Sequence, residues 1–168
     1  MEQIKKLNLQ DACPTMTYEV CVQEWATDER ARPLIVQFVG RYREGVHGNT
    51  DGDFMKGVID LVSAVWAHGS LAIDLSRLEY RCGDIIDFCL ESPRNKPVAV
   101  VVGPGCDRAL AELWFGETTT LRASAQDGVF DDLDEACAYL RMRTRTHLSG
   151  QCRPSAVASL HRNVSQFN

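Results

Sequence analysis

The chain is predicted to be an α/β domain: an antiparallel hairpin first, then β-α units forming a mostly parallel sheet with helices packed on it. Three observations lead there. Two alternating segments near the start, Met16 to Trp25 and Leu34 to Tyr42, are joined by a connection too short for a crossover helix. Strand-like and helix-like patterns then alternate to residue 141. Finally, Pro97 to Val102 is a continuous β-branched run, the signature of a strand covered on both faces.

Each element has its own justification. In MTYEVCVQEW, Tyr18, Val20 and Val22 share one face and Glu19, Cys21 and Gln23 the other, the period of a half-buried strand. TDERARP is polar and ends in Pro33, so the next strand, LIVQFVGRY, is expected to pair antiparallel with the first. GVHGNTDGD reads as a Gly-rich loop. After it Phe54, Val58, Leu61, Val62 and Val65 fall at helical spacing, with Thr50 or Asp51 as cap and Gly69 as stop. Leu71 to Leu75 is a short buried strand, and Asp84 to Glu91 a short helix with Ile85, Phe88 and Cys89 inward, stopped by Ser92 and Pro93. The sequence GPG breaks the 97–102 strand, and Cys106 to Phe115 form a helix with Leu110, Leu113 and Trp114 on one stripe. Leu121 to Ala125 reads as an edge strand. Asp132 and Glu135 resemble a capping box that opens a helix with Leu133, Ala136, Cys137 and Leu140 on its apolar face. A further helix is read over residues 155 to 164.

Composition limits the class of protein. With 45% hydrophobic and 24% charged residues over 168, the chain is long enough for a core of its own and is neither disordered nor low-complexity. No apolar run approaches the 18 or so residues of a membrane helix, and MEQIKKLNLQDACP lacks the apolar block of a secretory signal. A cytoplasmic location is expected, with no membrane partner. The seven cysteines form no CxxC or His/Cys zinc spacing and are odd in number, which fits reduced core thiols rather than a disulfide framework. Charge is uneven: residues 1 to 140 carry a net −10 and residues 141 to 168 a net +5. An acidic body disfavours nucleic acid, while the basic tail is solvated, folds back on the acidic body or meets an acidic partner. The domain organisation read from this is a tail at 1–15, an α/β domain at 16–141 and a basic tail at 142–168.

The element order and two local segments resemble the STAS domain of bacterial anti-sigma-factor antagonists and anion-transporter tails. Ala72-Ile73-Asp74-Leu75-Ser76-Arg77-Leu78-Glu79-Tyr80 is similar to the family's strand and turn of the form Val-Leu-Asp-Leu-Ser-x-Val-x-Phe. Val129-Phe130-Asp131-Asp132-Leu133-Asp134-Glu135-Ala136, followed by Tyr139-Leu140, resembles its closing Phe-x-x-x-x-Glu-Ala-x-x-x-Leu helix. The resemblance covers about residues 16 to 141 and implies a non-catalytic regulatory module that binds a protein, such as a kinase-like or sigma-system regulator. The chain departs from the family where its phosphorylation switch lies. Family members continue into Asp-Ser-Ser-Gly, whereas this chain has Cys82, Gly83, Asp84 and Ile85, without a hydroxyl. Asp84 then reads either as a fixed negative charge or as an N-cap carboxylate. Tyr80, Cys82, Gly83 and Asp84 are the implied partner-binding residues, and a homodimer is a further expectation.

One alternative has a different chemistry. Gly103-Pro104-Gly105-Cys106 follows a buried strand and opens a helix, where α/β folds bind anions on backbone N–H groups and where a cysteine thiolate is stabilised. Gly103, Gly105 and Cys106 are therefore a candidate anion-binding turn, with Cys106 as nucleophile in a small cysteine-dependent enzyme. His47, His68, His147 and His161, the four imidazoles, are far from it in sequence, and no Walker or GxSxG motif occurs. Asn49-Thr50-Asp51-Gly52-Asp53 has the look of a calcium loop but lacks the ligand spacing and closing Glu. Asp74, at a strand's C-terminal end, reads as part of the strand-turn pattern. Trp25, Trp66 and Trp114 read as core or interface. No catalytic residue, metal ligand or cofactor is assigned.

Overall fold

The computed structural model describes residues 6, 8–24, 31–83, 85–91 and 95–148. The strands are β1 (Met16–Val22), β2 (Pro33–Arg41), β3 (Ser70–Glu79), β4 (Val98–Val102) and β5 (Val129–Phe130). The helices are α1 (Val46–Val65), α2 (Ile85–Cys89), α3 (Asp107–Phe115) and α4 (Leu133–Leu148), with short 3-10 turns at Leu9–Asp11 and Ala123–Ala125. The sheet order is β1-β2-β3-β4-β5. β1 and β2 pair antiparallel, Met16 opposite Gly40 and Val22 opposite Leu34, and every later pairing is parallel. This is the predicted α/β arrangement, with β3 and β4 side by side.

Connection handedness explains the layers. Each crossover from β2 onward moves one strand in the same direction, so right-handed connections place α1, α2 and α3 on one face. The core agrees: Leu34, Val36 and Phe38, then Leu71, Ile73 and Leu75, then Val98, Val100 and Val102 pack with Phe54, Ile86 and Leu110 from those helices. The alternate residues Ile35, Ala72, Ala99 and Val101 meet Ala136, Cys137 and Leu140 of α4 on the other face. Each buried Leu, Ile or Val stabilises the fold by about 1.5–3 kcal/mol. The alanines at 72 and 99 leave room for α4 to lie against the sheet.

Four expectations change. GVHGNTDGD is helical, not a loop, because Gly48, Asp51, Gly52 and Met55 continue the buried stripe of Val58, Ile59 and Val62. Its cap is Gly45, while Asp51 turns into the interior, and the helix ends at Val65, short of Gly69. Gly52 is a close-approach glycine: a Cβ there would stand 2.3 Å from Ile85 Cγ2. Second, β3 runs past Leu75 to Glu79, pairing Arg77, Leu78 and Glu79 with Val39, Gly40 and Arg41 beyond a register shift after Gln37. Third, residues 121–125 do not form the edge strand. The Ala123 N–H donates to Asp107 Oδ1 at 3.0 Å and Arg122 Nη2 to Asp131 Oδ1 at 2.8 Å, curling this stretch into a 3-10 turn, and β5 takes the edge instead. Fourth, α4, capped as predicted by Asp132 Oδ1 on the N–H groups of Asp134 and Glu135, runs through the 141/142 boundary to Leu148. The rest of the basic tail, including the helix read over 155–164, lies outside the described residues.

Candidate partner-binding surface

The 80–83 segment leaves β3 at the C-terminal end of the parallel strands. Tyr80 is buried. Its N–H donates to Gly105 O at 2.9 Å, its hydroxyl to Gly83 O at 2.8 Å, and its ring meets Tyr42 edge-on at 5.4 Å. Gly83 has φ +134°, a conformation that favours glycine, and the direction of its missing Cβ faces Tyr42. Tyr80 and Gly83 therefore form the frame of the loop, while Arg81 and Cys82 between them are exposed. Asp84 lies outside the described residues.

Behind this frame Arg43, the neighbour of Tyr42, is clasped to the first turns of α1. Asp51, with no exposed surface, accepts from the Arg43 N–H at 2.7 Å, from Arg43 Nε at 3.0 Å, from Arg43 Nη2 and from Cys13 Sγ at 3.1 Å. Burial pushes the Asp51 carboxyl up, but the Arg43 hydrogen bonds outweigh it and hold the group below the usual carboxylate range. The Cys13 thiol is pushed up to about 11 by burial and by Asp51.

The second candidate segment touches the first through the bond from Tyr80 N–H to Gly105 O. Its glycines serve close packing, since a Cβ on Gly103 would stand 2.1 Å from Ser76 O and one on Gly105 2.7 Å from Leu78 O. The N–H groups of Cys106 and Asp107 already donate to Gly103 O at 3.1 and 2.9 Å. Asp107 also sets a carboxylate in the first turn of α3, where an anion would sit. Cys106 is buried, with its Sγ 3.4 Å from Leu75 O, and burial pushes its thiol up to about 11. A thiol held this way is a neutral packing group, since burial outweighs the one Gly103 N–H, 3.4 Å from the sulfur, that would favour a thiolate.

Helix α2 carries the residue that the pattern placed on the wrong side. Phe88 is 52% exposed, while Ile86 and Cys89 face the core. A five-residue helix has too few turns for periodicity to fix its inner face, and Cys89 settles it by donating to Gly52 O at 3.0 Å. Trp114 Nε1 donates to Asp87 Oδ1 at 3.0 Å, tying α2 to α3. Arg81, Cys82 and Phe88 thus stand outward on one stretch of chain that Tyr80, Asp87 and Cys89 hold in place.

Elsewhere the candidate groups have structural partners. Asp74 is buried and accepts from Gln37 Nε2 at 2.5 Å and from Ser76 N–H at 2.8 Å, beside the register shift of β2 and β3. Residues 49–53 are helical, so the calcium-loop pattern makes no loop. Cys13, Cys89, Cys106 and Cys137 are buried free thiols, Cys21 and Cys82 exposed ones, and Cys152 lies outside the described residues. Among the described residues no three His, Cys, Asp or Glu side chains gather as a metal site, and no helix is long and apolar enough to cross a membrane. Trp66 is half-exposed and Trp114 packs at the core margin, while Trp25 lies outside the described residues. Compared with protein-family models, curated proteins and solved structures, the chain matches none.

Proposed function

We propose that the chain is a non-catalytic, STAS-like regulatory module of the cytoplasm that binds a protein partner through the 80–83 loop and α2. The observation that carries this reading is Phe88, a large aromatic exposed on an element that is otherwise anchored. A rigid, exposed aromatic gives binding area at little entropic cost, and such residues dominate protein interfaces. The partner then presents an apolar pocket for Phe88, with polar groups around it for Arg81. The anti-sigma systems named by the resemblance supply one class of partner, a regulatory kinase-like protein. This chain would be bound by such a protein without being switched, since no Ser or Thr occurs from Arg77 to Glu91. The buried, neutral Cys106 supports the non-catalytic reading over the cysteine-enzyme alternative.

The test is affinity capture from the native host followed by titration of the recovered partner. Phe88→Asp is expected to weaken binding by about 2 kcal/mol or more, roughly thirtyfold, as loss of a central aromatic does. Thr17→Asp, on the far face of β1, should leave affinity unchanged. Equal affinity of Phe88→Asp and the unaltered chain, or phosphate incorporated between residues 80 and 88 by an anti-sigma-type serine kinase, would refute the reading.

A further inference from the structure

We infer that two copies of this chain pair through the outer edge of β1, joining their sheets antiparallel about a two-fold axis with α1 of each copy covering the seam. Among the described residues β1 has one strand neighbour, β2. Arg41 N–H donates to Thr15 O at 2.9 Å and Gln23 N–H to Pro33 O at 3.3 Å, so odd-numbered residues of β1 bond inward to β2. By alternation, the N–H and C=O groups of Tyr18, Val20 and Val22 point outward. Met16 is spoken for, since its carbonyl accepts from Gln10 Nε2 at 2.5 Å. A strand edge of this kind is a template for another strand.

The helix above that edge carries apolar side chains in excess of what its own core uses. Phe54 sits over Tyr18, ring centroids 6.0 Å apart, which fixes the flank of α1 that faces β1. Leu61 and Val65, seven and eleven residues on, share that flank and are 52% and 61% exposed. They follow the helical pattern of burial, yet this chain alone does not bury them. The helix rises about 10 Å from Phe54 to Leu61, the length of about three strand residues, so Leu61 stands near the middle of the free edge.

Charge and blocking groups select the register. An axis through Glu19 would set Glu19 against its own copy, a like-charge pair. An axis through Tyr18 would drive the partner strand onto Met16, where Gln10 lies. An axis through Val20 avoids both and keeps the longest overlap within the strand. It pairs Val20 with Val20, Tyr18 with Val22 and Glu19 with Cys21 across the seam, and brings the two copies of Leu61 together above it. A second copy fits because this edge and this flank complement themselves, as a two-fold interface requires.

Sedimentation equilibrium of the unaltered chain is expected to give twice 18.8 kDa. Val65→Glu, and the double variant Leu61→Glu with Val65→Glu, should raise the dissociation constant at least tenfold while far-UV circular dichroism is retained, since both positions are solvent-exposed in the single chain. The register has its own test in a Cys82→Ser, Cys152→Ser background. Glu19→Cys should cross-link to the native Cys21 of the other copy under copper–phenanthroline, because non-hydrogen-bonded pairs lie within disulfide reach. With Glu19 in place, the two Cys21 thiols are diagonal neighbours and should not cross-link. A monomeric mass at every concentration would overturn the proposal. So would unweakened dimerisation of both Val65 variants, or absence of the Glu19→Cys cross-link.

Discussion

Replacing Asp51 should cost more than a change at any of seven other ion pairs between described residues. Those seven join carboxylates with exposed surface, and such pairs are worth about 0–1 kcal/mol. Asp51 has none and binds four donors, so Asp51→Ala leaves the Arg43 N–H and the Cys13 thiol without that acceptor and the guanidinium with the Ala12 carbonyl in its place. Breaking a buried pair costs about 3–5 kcal/mol; Arg43 retains 23% side-chain exposure and can regain some hydration, which places the expectation near the lower end, about 3 kcal/mol. Asp51→Asn keeps one acceptor oxygen for the Arg43 N–H but not the charge, and should cost about 2 kcal/mol. Urea unfolding with unchanged slope is the assay. Because the folded carboxyl lies below its unfolded value, its stabilisation is complete above pH of about 4 and disappears as pH falls through the folded value. The gap between the unaltered chain and Asp51→Asn should therefore be constant from neutral pH down to about 4 and close below it. A cost under about 1 kcal/mol for Asp51→Ala, or a gap that persists in strong acid, would refute the buried-clasp account.

Three more predictions follow from the same contacts. Gly103→Ala places a Cβ 2.1 Å from the backbone oxygen of Ser76, which cannot rotate away, so a loss of about 3 kcal/mol or more is expected in denaturant unfolding; a loss under about 0.5 kcal/mol would refute the close packing. In a Cys152→Ser chain at pH 8, Ellman's reagent should titrate the two exposed thiols, Cys21 and Cys82, quickly, and Cys106→Ser should leave that native count unchanged. Fast native labelling of Cys106 would contradict its burial. Asp74→Ala should cost about 1–3 kcal/mol by stranding the Gln37 amide and the Ser76 N–H, with Asp74→Asn cheaper, again by urea unfolding; equal costs would show that charge rather than hydrogen bonding holds that corner.

Where burial imposed a period, the sequence was readable. The two faces of β1 follow from alternation, the burial of β3 and β4 on both sides from their continuous apolar runs, and the apolar stripe of α4 from helical spacing, because each residue there answers to one neighbouring layer. Readability failed where a residue type has two uses. Glycine serves both turns and close contact, and at Gly48 and Gly52 the contact use won, so a helix start looked like a loop. Aspartate serves both caps and buried pairs, and Asp51 is the second kind; the partner that decides it, Arg43, is eight residues away and signals nothing by spacing. At the candidate surface, the 80–83 segment was found by its resemblance, but which of its members face outward was not legible. Tyr80 and Gly83 pack against Tyr42, which follows the end of β2 and is far from them in sequence. Phe88 was missed because α2 is too short to show a face.

The topology also bears on what kind of partner the fold suits. In open α/β sheets small ligands occupy the crevice where successive crossovers part to opposite faces. From β2 to β5 this sheet advances strand by strand in one direction, so α1, α2 and α3 share a face and no such parting occurs among the described parallel strands. At the strand ends where a ligand would enter, Gly103 and Gly105 bring the turn after β4 against the backbone of β3, and Tyr80 and Tyr42 pack the adjoining space. Outside this packing two surfaces project, Phe88 with the 80–83 loop at one place and the β1 edge beneath Leu61 and Val65 at another, the latter beside a hollow lined by Val20, Val22, Leu34 and Trp66. Projecting aromatic and aliphatic groups recognise protein surfaces that bring their own pockets, the kind of contact the proposed partner-binding role requires. The two surfaces lie on different elements, β1 with α1 and the β3 end with α2, so the proposed self-association at one would leave the other open to a different protein.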